Sequence, residues 1–209
     1  QDMLSTDIPA NVYEGLKSSP VTEVHVFGRR GPAQVKFTPL ELREATHIEG
    51  VDCIVYDEDF KYDEGSQEAI DSNNQTRVMV NTLEALRAEP QNTGAPRRLH
   101  LHFFSAPVEV LGEDGKVAAI RIERTELDGR GGVTSTGEFR EIPVQAVYRA
   151  VGYFGSELDQ IPYDAKYGVI PNDGGRVLGS DGKQIDGVYA TGWIKRGPVG
   201  LIGHTKSDA

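Results

Sequence analysis

The stretch that most constrains the fold is Val24-His25-Val26-Phe27, a short apolar strand running straight into Gly28-Arg29-Arg30-Gly31-Pro32. Two adjacent guanidiniums at the carboxyl end of a strand can grip a doubly charged phosphate through parallel N–H donors. In a layered α/β fold that is the chemistry that distinguishes NADP from NAD. The first expectation is therefore a piece of an NADP-using protein, with Arg29 and Arg30 as phosphate ligands.

The surrounding pattern alternates strand and helix, as a parallel α/β sheet requires. Thr6-Asp7-Ile8-Pro9 predicts a capped helix over 8–18, with Val12 and Leu16 on an apolar stripe, and the strand over 21–27 follows. Thr38-Pro39-Leu40-Glu41 joins a hydroxyl cap, proline at the first helical position and glutamate three residues after the cap, which is a capping box. That helix is predicted to reach about Ile48 and to stop at Gly50, before a strand over 51–56. Ser66 to Arg87 reads as helical with an interruption at Asn73-Asn74, and Val78, Leu83 and Leu86 are its candidate buried positions. The acidic residues at 57–64 lack the ligand spacing of a calcium loop and are expected to be a solvated loop.

Beyond Pro96 the pattern changes to β-compatible runs at 99–104, 107–111, 117–124 and 144–149, with a turn at Glu113-Asp114-Gly115-Lys116. They predict an antiparallel excursion attached to the parallel sheet. Asp128 to Gly137 reads as a flexible loop, and Ala146 to Tyr153 as a strand ending in glycine. His100 and His102 share a strand face, but no third ligand stands at a recognisable spacing, so no metal is expected. Ser5, Ser18 and Ser19 do not sit in a nucleophile elbow, and no hydrolase constellation stands out.

Composition narrows the function classes. With 209 residues there is room for one domain, or one and part of another. Lys and Arg total 22 against 32 Asp and Glu, a formal net charge of -10, which argues against a nucleic-acid partner. No apolar run reaches membrane-span length, and no secretory leader is visible. The single cysteine, Cys53, excludes an internal disulfide and a cysteine-rich metal cluster; its neighbours mark it as a core residue. A reducing cytoplasm suits this composition, and an organelle interior is also compatible.

The last sixty residues carry a second signal. Ile185-Asp186-Gly187-Val188-Tyr189-Ala190-Thr191-Gly192-Trp193 brings a strand into a glycine and a large ring, an arrangement able to cover a flat cofactor. Gly197-Pro198-Val199-Gly200-Leu201-Ile202-Gly203 adds compact turns before Thr205 opens a helix. No glycine-rich turn precedes the first helix, so the loop that would cradle a pyrophosphate is missing. Both ends therefore read as internal positions of a larger protein.

Ala190-Thr191-Gly192-Trp193-Ile194-Lys195-Arg196-Gly197-Pro198-Val199-Gly200-Leu201-Ile202-Gly203, together with Gly28-Arg29-Arg30-Gly31-Pro32-Ala33-Gln34-Val35-Lys36-Phe37-Thr38, resembles the adrenodoxin reductase-like ferredoxin/NADP reductases. The resemblance covers almost the whole chain. It implies that residues 1–153 are the later part of a Rossmann-like NADP-binding domain and that 154–209 are the returning segment of an FAD-binding domain. It also implies FAD and NADP as cofactors, hydride transfer from NADPH to FAD, and single-electron delivery to a ferredoxin-type iron-sulfur protein. An amino-terminal half supplying the FAD-binding glycines would be a required partner, so the isolated chain is not expected to be a complete enzyme.

By the same resemblance, Arg29 and Arg30 hold the 2'-phosphate, Glu44 lies near the nicotinamide, and Trp193 lies near the flavin. Gly200, Leu201 and Ile202 form the turn whose backbone approaches the flavin and nicotinamide. Lys195 and Arg196 add positive potential. Two other readings stay open: an NADPH-linked electron-input domain serving another acceptor, and a non-catalytic nucleotide-binding fragment.

Overall fold

The computed structural model describes residues 2–197. It divides into two compact units, Gln1–Val147 and Tyr148–Ala209. Gly200, Leu201, Ile202 and the helix expected after Thr205 lie outside the described residues.

The first unit is an α/β fold with a parallel Rossmann-like sheet and an antiparallel sheet. Strands β1 (Glu23–Phe27), β2 (Val51–Ile54) and β3 (Arg97–His102) form the parallel sheet in the order β1-β3-β2. The central strand β3 sets His25 opposite His100 and Cys53 opposite Leu99. β1 is consequently an edge strand among the described residues.

Helices α1 (Ala10–Lys17), α2 (Pro39–Thr46), α3 (Glu64–Ser72) and α4 (Asn74–Ala88) punctuate the strands. The capping box of α2 forms as predicted: Glu41 N donates to Thr38 Oγ1 at 3.3 Å, and Thr38 N donates to Glu41 Oε2 at 2.6 Å. The interruption at Asn73 is also real, because its side chain caps α4 by accepting from Thr76 N at 3.1 Å. One face of the sheet packs Cys53 and Leu101 against Leu42 of α2 and Met79 and Leu83 of α4. Leu83 is fully buried as predicted, and Leu86 packs at the rim of the same cluster.

Several expectations give way. The first helix has Pro9 at its N-cap with no side-chain cap, and Thr6 Oγ1 instead donates to Met3 O at 2.7 Å. Its stripe is exposed, with Val12 and Leu16 at 45% and 51%, since no described element packs over it. Residues 57–64 are not uniformly solvated: Asp59 is 1% exposed, for a reason that lies in the antiparallel sheet.

That sheet is a meander of β4 (Ser105–Glu113), β5 (Lys116–Leu127) and β6 (Val133–Pro143). The expected turn at 113–116 closes its first hairpin. Part of the expected loop over 128–137 is instead the start of β6, where Thr125 pairs with Ser135 and Leu127 with Val133. Long backbone pairing overrides the glycine-rich local composition there. Residues 144–153, expected to be a strand, form none; Tyr148 and Val151 are exposed and pair with no described strand. A strand exists only where a neighbour accepts its ladder, so an apolar run alone does not make one.

In the second unit, β7 (Asn172–Asp173), β8 (Arg176–Leu178) and β9 (Gln184–Tyr189) form a small antiparallel sheet around Ile170, Val177 and Ala190. A short turn of helix, α5 (Trp193–Arg196), follows. Among the described residues no helix is long and apolar enough to cross a membrane.

Candidate functional site

The arginine pair stands on a loop whose backbone is tied down at every step. Gly28 N donates to His102 O at 2.8 Å, and Ser105 N donates to Gly28 O at 2.9 Å. Thr125 Oγ1 donates to Arg29 O at 2.7 Å, and Phe104 N donates to Arg30 O at 3.2 Å. The loop is thus fixed to β3, β4 and β5 through main-chain groups. Each guanidinium is left to project from a rigid base, Arg29 exposed and Arg30 half-buried. Among the described residues neither has an ion-pair partner.

Phe104 sets the height of that loop. It adopts a positive φ of 48°, uncommon for a bulky side chain, and its ring packs beneath Gly31. Arg124 covers the ring with its guanidinium carbon 5.4 Å from the centroid. The same arginine makes an ion pair with the buried Asp59, whose other carboxylate oxygen accepts from Phe103 N at 2.8 Å. Arg124 also donates to Glu58 O at 2.8 Å and Phe103 O at 3.2 Å. Burial raises the Asp59 carboxyl above its ordinary range, and the Arg124 and Phe103 hydrogen bonds oppose that rise.

The remaining expected residues are divided between the two units. Glu44 is exposed on α2, in the same unit as the arginines. Trp193 opens α5 in the second unit, after Gly192 at φ 72°, a conformation that favours glycine. Its ring lies 6.2 Å from that of Tyr153 at an interplanar angle of 23°, and it is 45% exposed. The turn is held in place because Asn172 Nδ2 donates to both Ile170 O and Lys195 O at 2.8 Å. Gly200, Leu201 and Ile202 lie outside the described residues.

One cluster escapes a reading by sequence spacing. His25, His100 and His102 meet on the sheet face opposite the helices, with ligand-capable atoms all within 4.8 Å of one another. His25 Nδ1 and His102 Nε2 share a hydrogen bond of 2.9 Å across a separation of 77 residues. Only the β1–β3 register reveals His25 as the third imidazole. Glu23 accepts from His100 Nε2 at 2.6 Å and from Arg98 Nε at 2.8 Å, while Tyr56 Oη and His100 Nδ1 are 2.8 Å apart. The Arg98 hydrogen bond holds the Glu23 carboxyl below its usual range. Burial, reinforced by the neighbouring histidines, pushes His102 down to about 3, and burial also lowers His25. Beside His102 and Tyr56 lies a cavity of about 200 Å³, walled on the meander side by Ile122, Arg124, Arg140 and Ile142.

No protein-family model matches the chain. It is 40% identical over 213 residues to the NADPH-ferredoxin reductase FprA of Mycobacterium tuberculosis, covering 98% of this chain and 44% of that protein. It is 36% identical over 218 residues to the mitochondrial NADPH:adrenodoxin oxidoreductase of Bos taurus, covering 98% of this chain and 43% of the relative. The solved structure of Mycobacterium tuberculosis FprA in complex with NADPH superposes with a TM-score of 0.82 at 37% identity, over 97% of this chain and 44% of that one. The chain is a homologue of the adrenodoxin reductase-like ferredoxin/NADP reductases. It spans less than half the length of the curated relatives it matches. The matches take in nearly the whole chain, 98% of it in sequence and 97% in structure.

Proposed function

We propose that this chain supplies the NADP-selecting part of an FAD-dependent reductase that passes electrons from NADPH to a ferredoxin-type iron-sulfur protein. On this reading residues 1–153 are the later part of the NADP-binding domain and 154–209 the returning segment of the FAD-binding domain. An amino-terminal half supplies the remainder. The observation that carries the reading is the arginine pair: two guanidiniums without ion-pair partners among the described residues, on a backbone pinned by four hydrogen bonds, in a homologue of a protein solved with NADPH.

The residues present fit the 2'-phosphate of NADP by donor chemistry, because paired guanidiniums satisfy a dianion better than any single cation. Arg29 and Arg30 bind and orient the adenosine end, which places the nicotinamide by its far attachment. Glu44 adjusts the position of the nicotinamide. Trp193, braced by Tyr153, offers a half-exposed ring face to a flat cofactor and keeps water from it. On this reading the backbone of Gly200, Leu201 and Ile202 belongs to the same neighbourhood. When bound, a flavin supplies the conversion of a hydride into single electrons.

The edge strand β1 and the apolar run at 146–153, which joins no sheet among the described residues, support the requirement for another half, since each has the character of a strand without its neighbour. The test is reconstitution with the amino-terminal half followed by nucleotide titration. Arg29→Ala with Arg30→Ala is expected to weaken NADPH by about 1.5–3 kcal/mol for each lost charge-assisted contact, and to leave NADH nearly unchanged. Equal losses for both nucleotides overturn the assignment. Reduction assays with iron-sulfur proteins against other acceptors decide the electron acceptor.

A further inference from the structure

We propose that His25, His100 and His102 form a binding site for a divalent first-row transition-metal ion of the imidazole-preferring kind, Zn²⁺ foremost. The three imidazoles come from two adjacent parallel strands, so the sheet register itself assembles the ligands: His25 is the direct partner of His100, and His102 lies two residues along the same face. Their ligand-capable atoms lie within 4.8 Å of one another. A metal held at about 2.0–2.1 Å from each nitrogen in a tetrahedron needs nitrogens roughly 3.4 Å apart. In the structure the rings lie stacked, His25 4.4 Å from His100 and 5.2 Å from His102 between centroids, and Tyr56 Oη sits 2.8 Å from His100 Nδ1, so metal entry requires the rings to turn and that tyrosine contact to be released.

The ligating form of imidazole is the neutral ring, and the cluster holds three of them with no acidic ligand among them. The one proton shared between His25 Nδ1 and His102 Nε2 moves to the outer nitrogen of its ring when the metal enters, with no net change in charge. Glu23 bonds the Nε2 of His100, the carboxylate–imidazole arrangement that orients a ligand and raises its basicity. Three imidazoles without a thiolate suit Zn²⁺, Cu²⁺ or Ni²⁺ rather than Mg²⁺ or Ca²⁺. The charged neighbours nearly balance, since Arg98 is paired with Glu23 and Arg140 with Glu58. The cavity of about 200 Å³ beside His102 gives the rings room to turn and leaves space for a water in the fourth position.

Such an ion would staple β1 to β3 immediately before the arginine loop, because His102 O holds Gly28 N at 2.8 Å. The loop would stiffen without the metal touching either arginine.

The test uses the full 209-residue chain, stripped with chelator and titrated with Co²⁺ and then Zn²⁺. The expected result is one Co²⁺ per chain with visible d–d absorption of a tetrahedral site, displaced by Zn²⁺. His25→Gln, His100→Gln and His102→Gln each abolish that absorption, and Glu23→Gln weakens binding by about tenfold or more. His47→Gln, on an exposed histidine of another element, leaves binding unchanged. Because a sheet variant can lose its fold, the wild-type chain is also followed by imidazole nitrogen NMR during the Zn²⁺ titration. Shifts at His25, His100 and His102 support the site. Absence of stoichiometric binding, or shifts confined to the other histidines, overturns it and leaves the three rings as a packing stack.

Discussion

Gly31 lies so close against the Phe104 ring that a methyl group at residue 31 would fall 2.9 Å from Cε2 and nearer still to Cζ. The φ of Gly31 is ordinary at -79°, so glycine is needed here for space and not for backbone freedom. Gly31→Ala is expected to cost about 1–3 kcal/mol by overpacking. In a Phe104→Leu background the cost should shrink, and a double-mutant cycle by chemical denaturation measures the coupling. An undiminished penalty would place the strain elsewhere.

Asp59 and Arg124 form a buried ion pair beneath the same loop. Removing one partner leaves the other charge without its counter-ion, so Asp59→Asn is expected to destabilise the first unit by about 3–5 kcal/mol. Replacing the pair together with apolar residues should cost less than either single change. Thermal unfolding of the three variants gives the comparison.

The α2 capping box isolates a smaller effect. Thr38→Ala removes the hydroxyl acceptor for Glu41 N and should lower stability by about 1 kcal/mol. Thr38→Ser should retain most of it. Urea midpoints with unchanged slope distinguish loss of the cap from a change in the unfolded chain.

Asp52 gives the expected response to acid. Its carboxylate accepts from Thr93 Oγ1 at 2.6 Å, Thr93 N at 3.0 Å and Ala95 N at 3.3 Å, with the Thr93 hydroxyl contributing most to a pKa below the ordinary value. A depressed folded-state pKa contributes stability above the unfolded value of about 3.9, and that contribution is lost as pH falls through the folded-state value. Asp52→Asn should therefore be less stable than wild type at neutral pH, and the two curves should converge in acid. A gap that is constant across the range would remove titration as the cause.

Local chemistry was readable where the partners are close in sequence. Thr38, Pro39 and Glu41 announce a helix start within four residues, and Asn73 announces a break that it then caps. What depends on distant partners was not readable. Asp59 sits in an acidic run whose composition suggests solvent, and only the return of Arg124 on β5 explains its burial. His25 joins His100 and His102 through a strand register that no spacing encodes. The glycine-rich residues after Asp128 become β6 because β5 offers them a ladder, whereas the apolar residues at 146–153 find none among the described residues. The arginine doublet was legible as a motif, yet its anchoring through Thr125 and Phe104 emerges only from the folded chain.

The open side of β1 has a practical outcome for anyone handling the protein. Val24 and Val26 stand half in water along a row of main-chain groups that another extended segment can zip onto. Concentrated solutions of the lone chain should therefore self-associate edge to edge, and supplying a mate for that rim during expression should keep the preparation monodisperse.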